Sequence, residues 1–191
     1  MNVLTMRKRN CWLYSLCLMA FAMIGCSGDN TYTSQPCFLI IDNGLHMDET
    51  LASAMNRMSP GVFCMITNNE ARKEFTFKNN SGLSSTKRYN DIDNSRSRVL
   101  GMNGGLIVGF GTLMDGQFCA YDRECPNCFD PNAVPVRSKP LTMSGDGIAT
   151  CSVCERRYNM NNGGNCESGG KGLTRYHCST QGPYGVLQVG N

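Results

Sequence analysis

The sequence predicts an all-β fold, an antiparallel sandwich or small barrel with one short N-terminal helix. Three observations lead to this prediction. Short apolar runs recur along the chain, turns rich in glycine and asparagine separate them, and a single stretch has the apolar side expected of a helix. Many short strands joined by tight turns are typical of sheets that pack face to face or close on themselves.

The helix and two strands are predicted in the first part of the domain. Residues 37–41 and 62–67 are apolar runs bounded by turn residues, so each predicts a strand. Asp48 can cap a helix over residues 48–58, with Ser59-Pro60-Gly61 as its stop signal.

A polar stretch follows, from residue 68 to residue 98. Its charges are mixed in sign, which favours a solvated loop over a binding patch. Alternation of apolar and polar residues at 74–78 predicts one half-buried strand within it.

The last part of the chain predicts two hairpins and two closing strands. Met114-Asp115-Gly116 is the turn signal of the first hairpin, and Ser144-Gly-Asp-Gly147 is that of the second. The strands predicted here are residues 106–110, 117–121, 141–143, 148–150, 174–177 and 184–189.

The N-terminus predicts export and a lipid anchor. Three basic residues precede an uncharged, mostly apolar run of residues 11–25, so residues 1–25 are predicted to be a secretory signal peptide. The junction at Cys26 resembles the lipobox of bacterial lipoproteins, which implies lipidation of Cys26; a plain secretory signal cut nearby is the alternative. Residues 26–35 predict a flexible tether. Ser27 resembles the residue of lipoproteins retained at the outer rather than the inner membrane, so an outer-membrane lipoprotein of the cell envelope is expected.

The charge balance argues against a nucleic-acid partner. Three of the 18 basic residues lie in the predicted signal, which leaves 15 against 15 acidic residues in the rest of the chain. The exported protein is therefore formally neutral, and the basic pI belongs to the signal.

Two Cys-x-x-Cys pairs carry the most specific chemistry in the chain. The pairs are Cys125/Cys128 and Cys151/Cys154, and 22 residues separate them. Four thiolates from two loops suit Zn²⁺, a single iron or an all-cysteine iron–sulfur cluster, and all four cysteines are predicted metal ligands. The alternative is that they form disulfides, as cysteines of exported proteins commonly do.

Five further cysteines lie outside these motifs and the predicted lipid site. They are Cys37, Cys64, Cys119, Cys166 and Cys178. Cys37–Cys64 and Cys166–Cys178 are the first bridges to test, although sequence alone leaves the pairing open.

A recognisable order of segments surrounds the two motifs. The segments are Phe118-Cys-Ala-Tyr-Asp122, Cys125-Pro126, Gly147-Ile-Ala-Thr-Cys151, Arg157-Tyr-Asn-Met-Asn-Asn-Gly-Gly164, Ser168-Gly-Gly170 and Leu173-Thr-Arg-Tyr176. In this order they resemble the Rieske iron–sulfur domain family over about residues 100–191. The resemblance implies one Rieske-like domain at residues 36–191, with residues 36–99 as an N-terminal extension and residues 100–191 as the core.

The chain departs from the family pattern at the histidines. The family binds a [2Fe–2S] cluster through C-x-H and C-x-x-H loops. Here Cys154 stands at the second histidine position, and Asn127 or Cys128 stands at the first. The chain's two histidines, His46 and His177, lie outside the loops; His46 is expected to be a solvated turn residue, and His177 a strand residue.

Two functional hypotheses follow. The first is an envelope electron carrier whose four cysteines hold a [2Fe–2S] cluster and which passes electrons to an unknown envelope protein. The second is a non-redox structural or binding lipoprotein whose cysteines hold zinc or form disulfides, with residues 68–98 or 129–139 meeting a partner. The chain has no Gly-x-Ser-x-Gly elbow, P-loop or His–Glu zinc motif, so nothing predicts a hydrolase or transferase.

Overall fold

The computed structural model describes residues 32–191. The predicted signal peptide, the predicted lipid site Cys26 and the tether up to residue 31 lie outside the described residues.

The strands are β1 (Phe38–Asp42), β2 (Phe63–Asn69), β3 (Glu74–Asn79), β4 (Ser84–Arg88), β5 (Gly105–Phe110), β6 (Phe118–Asp122), β7 (Leu141–Met143), β8 (Ile148–Cys151), β9 (Arg157–Asn159), β10 (Asn165–Cys166), β11 (Arg175–Thr180) and β12 (Val186–Gly190). The helices are α1 (Asn43–His46), α2 (Glu49–Ala54) and α3 (Asp91–Ser95), with a 3₁₀ turn at Met160–Asn162. No helix within residues 32–191 is long and apolar enough to span a membrane.

The strands form two antiparallel sheets, which confirms the all-β class. The larger sheet has eight strands in the order β1-β12-β11-β6-β5-β2-β3-β4, and the smaller has four in the order β10-β9-β8-β7. Strands from residues 38–88 pair directly with later strands, β1 with β12 and β2 with β5.

The hairpin between β5 and β6 forms as its turn residues predict. Asp115 and Gly116 both have positive φ, 49° and 72°, and the N–H of Gln117 donates to the carbonyl of Met114 at 2.8 Å. Two central residues with positive φ match the right-handed twist of the flanking strands, which is why Asp-Gly is favoured there.

The predicted helix begins where expected but is shorter. The carboxylate of Asp48 accepts a hydrogen bond from the N–H of Leu51 at 2.8 Å, and α2 ends at Ala54 rather than at residue 58. The prediction of one helix was wrong, because α1 and α3 are also present among the described residues.

The polar stretch of residues 68–98 is more ordered than predicted. It contains β3, the exposed edge strand β4 and the helix α3, which begins with a capping box between Asn90 and Asp93. The prediction that His46 is solvated was also wrong. His46 is buried, and its Nε2 lies 2.9 Å from the buried Asp93 carboxylate.

Two hydrophobic clusters lie on the two faces of the large sheet. In β5, Leu106 and Val108 belong to the first cluster, whereas Ile107 belongs to the second, as the alternation of a strand requires. The second cluster joins the large sheet to the small one and includes Cys125 and Cys151. Two of the four predicted metal ligands therefore lie in the core between the sheets.

The two bridges named for testing outside the motifs, Cys37–Cys64 and Cys166–Cys178, are not formed. All nine cysteines of the described part are free thiols. Cys64 lies in β2, which is separated from β1 by four strands in the sheet order, and Cys37 immediately precedes β1. Cys166 packs against the second cluster and Cys178 against the first.

The first described residues lie against the domain. The ring of Tyr32 stacks on His177 at a centroid distance of 4.0 Å, and the N–H of Thr33 donates to the carbonyl of Arg175 at 2.9 Å. These contacts place the end of the predicted tether on β11.

Candidate metal centre

The two cysteine loops are brought together by backbone pairing. Cys125 follows β6, and the preceding Glu124 forms a β-bridge with Pro140, immediately before β7. In the next ladder, Leu141 of β7 pairs with Cys151 of β8. Cys125 and Cys151 therefore lie on neighbouring segments although 25 residues separate them in the sequence.

Each loop is a tight turn that directs both of its cysteines to one place. In the first loop, the N–H groups of Cys128 and Phe129 donate to the carbonyl of Cys125 at 3.2 and 2.9 Å. In the second, the N–H of Glu155 donates to the carbonyl of Cys151 at 2.9 Å, and Glu155 has a φ of 58°.

The sulfur atoms of all four predicted ligands lie together, within 4.8 Å of one another. Cys125 and Cys151 are buried, whereas Cys128 and Cys154 are half-exposed. The sulfurs of Cys125 and Cys154 are 3.8 Å apart, compared with about 2.05 Å in a disulfide. No disulfide joins the four cysteines, and their arrangement can hold a metal ion.

The spacing fits a single tetrahedral ion. A Zn–S bond of about 2.3 Å places tetrahedral ligand sulfurs about 3.8 Å apart, which is the separation of Cys125 and Cys154. The widest pair of sulfurs is at most 4.8 Å apart, about 1 Å more than this value.

Hydrogen-bond donors surround the sulfurs. The hydroxyl of the buried Tyr158 lies 3.2 Å from Cys125 Sγ, and the N–H of Val153 donates to Cys151 Sγ at 3.4 Å. Backbone N–H groups of Asn127 and Arg156 donate to Cys125 and Cys154. In three cases the donor is thus the N–H two residues after the cysteine, a geometry that stabilises thiolate charge.

Three of the thiols, Cys125, Cys128 and Cys154, differ in acidity. Burial opposes ionisation of Cys154, but hydrogen bonds from the backbone and guanidinium of Arg156 outweigh it and lower its pKa to about 6. Desolvation and hydrogen bonding with Cys154 raise the pKa of Cys128 to about 12. Burial also raises the pKa of Cys125, despite the Tyr158 hydrogen bond. Of these three cysteines, Cys154 is therefore ionised most readily and is the first that can bind a cation as a thiolate.

Asn127, one of the two residues that could stand at the first-loop histidine position of the resemblance, contacts residues around the site. Its Nδ2 donates to the hydroxyl of Tyr158 at 2.9 Å and to the carbonyl of Lys171 at 2.8 Å. It thereby fixes the hydroxyl that contacts Cys125. The resemblance included Tyr158 in one of its segments but implied no role for it.

Two buried carboxylates before Cys125 support the first loop. Asp122 accepts hydrogen bonds from the hydroxyl of Tyr176 and from the N–H of Glu124, both at 2.7 Å. Glu124 accepts from Ser138 Oγ at 2.7 Å and from the N–H of Lys139. The carbonyl of Lys139 in turn accepts from the N–H of Cys125 at 2.9 Å. The resemblance included Asp122 in one of its segments but implied no role for it, and no motif marks Glu124.

Fold and site together define an all-β protein with a four-cysteine centre at the junction of two sheets. No family model, curated protein or solved structure matches the chain. The Rieske-like resemblance therefore rests on the residue pattern and stays a prediction.

Proposed function

We propose that the chain is a metal-binding module of the cell envelope, in which one tetrahedral ion joins the two cysteine loops of a Rieske-like domain. The observation that carries this proposal is the short span of the four sulfurs, all within 4.8 Å. Zn²⁺ matches a closed set of four thiolates, and a single iron has the same geometric needs. As a zinc site, the centre stabilises the fold and has no redox chemistry.

The distance between the sulfurs of Cys125 and Cys154 favours one ion over a [2Fe–2S] cluster. In Rieske centres two cysteines bind one iron and two histidines bind the other. Carried over to this chain, Cys125 and Cys154 bind different irons. Their sulfurs are 3.8 Å apart, which equals the separation of two ligands of one ion. Ligands of two different irons lie further apart, because the iron–iron distance separates them.

A one-electron carrier with iron in the site is the second candidate. The hydrogen bonds from Tyr158, Val153 and the two other N–H groups favour it, because such donors set the potential of iron–thiolate centres. Half-exposed Cys128 and Cys154 give an electron a short path to an envelope partner.

Metal content of the purified exported protein tests these candidates. We expect one zinc per chain and, after exchange with Co²⁺, the intense visible bands of a tetrahedral thiolate complex. Cys128→Ser is expected to lose the cobalt spectrum, and the matched variant Cys178→Ser, outside the site, is expected to retain it. Two irons with labile sulfide would instead establish the cluster, and a metal-free protein with oxidised motif cysteines would contradict both candidates.

The envelope location rests on the N-terminal sequence. Lipid on Cys26 would hold the domain at a membrane, by preference the outer one, where it meets an envelope protein partner. Cys26→Ala is expected to move the protein to the soluble fraction after cell disruption. Retention of this variant in the membrane fraction would contradict the anchor.

A further inference from the structure

A cleft of about 480 Å³ lies at the end of the large sheet opposite to the cysteine loops. The segment after α2, the β5–β6 hairpin and the turn after β11 line it. Phe118 begins β6 and Cys125 follows its other end, so the strand holds the two sites about 14 Å or more apart. A volume of this size is typical of sites for small organic ligands.

One wall of the cleft is aromatic. The rings of Phe110 and Phe118 are 4.9 Å apart at an angle of 56°. Phe110 is buried, whereas Phe118 is half-buried and keeps part of its ring open to the cleft. The half-buried ring of Phe118, backed by the buried Phe110, offers an apolar surface to a ligand.

The cleft is also lined by an exposed arginine, Arg57, without an anionic partner. Within residues 32–191 the side chain of Arg57 forms neither an ion pair nor a hydrogen bond, whereas Arg98 binds Glu70 at 3.1 Å. Arg57 lies against the hairpin turn, since a Cβ at Gly116 would be 2.8 Å from its Nη2. The missing side chain of Gly116 thus leaves room for the guanidinium beside the aromatic wall. Arginine binds carboxylates through two parallel hydrogen bonds.

We propose that this cleft binds an organic anion with a flat apolar body, of the aromatic carboxylate class. The carboxylate pairs with Arg57, and the ring system lies against Phe118. This proposal is independent of the metal centre at the other end of β6.

Calorimetric titration of the exported protein with 1-naphthoate tests the proposal. We expect saturable binding, and roughly 10- to 100-fold weaker binding of the uncharged 1-naphthalenemethanol, because it cannot pair with the guanidinium. Arg57→Ala is expected to weaken naphthoate binding by a similar factor and to leave the alcohol unaffected. Arg96→Ala, which changes an exposed arginine outside the cleft, is the matched control and is expected to bind as the unchanged protein does.

The aromatic wall is tested separately with Phe118→Leu, which keeps an apolar residue at the hairpin. We expect weaker binding of both probes and a retained circular dichroism spectrum. Absence of saturable naphthoate binding would overturn the proposal, as would equal affinities of naphthoate for the unchanged protein and the Arg57→Ala variant.

Discussion

Removal of one hydroxyl group, in Tyr158→Phe, tests the metal centre most directly. The Tyr158 hydroxyl lies 3.2 Å from Cys125 Sγ and accepts a hydrogen bond from Asn127 at 2.9 Å. The substitution removes both interactions and leaves the buried ring in place. Asn127 keeps its hydrogen bond to the carbonyl of Lys171, so the change leaves that amide with a partner.

The expected loss follows from the charge on the sulfur. Cys125 binds a metal as a thiolate, and a hydrogen bond to a charged acceptor contributes about 1.5 to 3 kcal/mol. The free protein holds Cys125 mainly as a thiol, because burial raises its pKa. The hydroxyl therefore stabilises the metal-bound form more than the free form. Its removal should weaken zinc binding roughly 10- to 100-fold.

A competition titration against a chromophoric zinc chelator, under reducing conditions at constant pH, measures this loss. Tyr121→Phe is the matched control, since the Tyr121 hydroxyl is also buried but donates to the carbonyl of Met160 at 3.1 Å. We expect the control to lose stability and to keep its zinc affinity. Unchanged zinc affinity in Tyr158→Phe, or equal losses in both variants, would refute the reasoning.

Three further predictions concern pH and stability. Zinc affinity should rise with pH above pH 7, because Cys128 has a pKa near 12 and must release a proton on binding. Below pH 6 the affinity should change more steeply with pH, because Cys154, with a pKa near 6, is then protonated as well. Gly101→Ala should lower the free energy of unfolding in urea by more than the cost of a left-handed backbone, which is about 1 to 2 kcal/mol, because its Cβ would lie 2.2 Å from the Asp122 carboxylate. Gly82→Ala has open space around its Cβ and should show the backbone cost alone. Asp122→Asn should cost about 1 to 3 kcal/mol in urea unfolding, because the carboxylate accepts from two N–H groups and one hydroxyl and an amide cannot accept from all three.

Each of these predictions has an opposing outcome. Zinc affinity that does not change with pH would show that the free thiols are already ionised. Equal destabilisation of the two glycine variants would remove the clash argument. An Asp122→Asn variant with the urea midpoint of the unchanged protein would mean that its three donors find other acceptors.

Local turn chemistry made most strands predictable. Asp115-Gly116 marked the β5–β6 hairpin because both residues adopt positive φ there. Strand β4 was missed because Ser84–Arg88 is an exposed edge strand without apolar residues, and α3 was missed because its five residues depend on a capping box and on the buried pair His46–Asp93. That pair joins residues 47 positions apart, which periodicity does not detect.

The ligand set was predictable and its surroundings were not. Two Cys-x-x-Cys pairs identify the four cysteines by spacing, and the structure brings their sulfurs together. Glu124, Asn127 and Tyr158 act through contacts between separate loops, and each is an ordinary residue in its own segment. The distance of 3.8 Å between Cys125 and Cys154, which favours one ion, depends on how the two sheets pack.

The pairing of Glu124 with Pro140 closes the chain between the two motifs at its base. A cation shared by the loops would hold both ends of residues 129–150 in the folded form, and the free energy of its binding would add to the stability of the fold. Because the cation binds the folded form, its free concentration would set how firmly the small sheet is held. The melting temperature would then rise when zinc is added and fall when a chelator is added. The thermal stability of the protein would therefore depend on the free concentration of the ion.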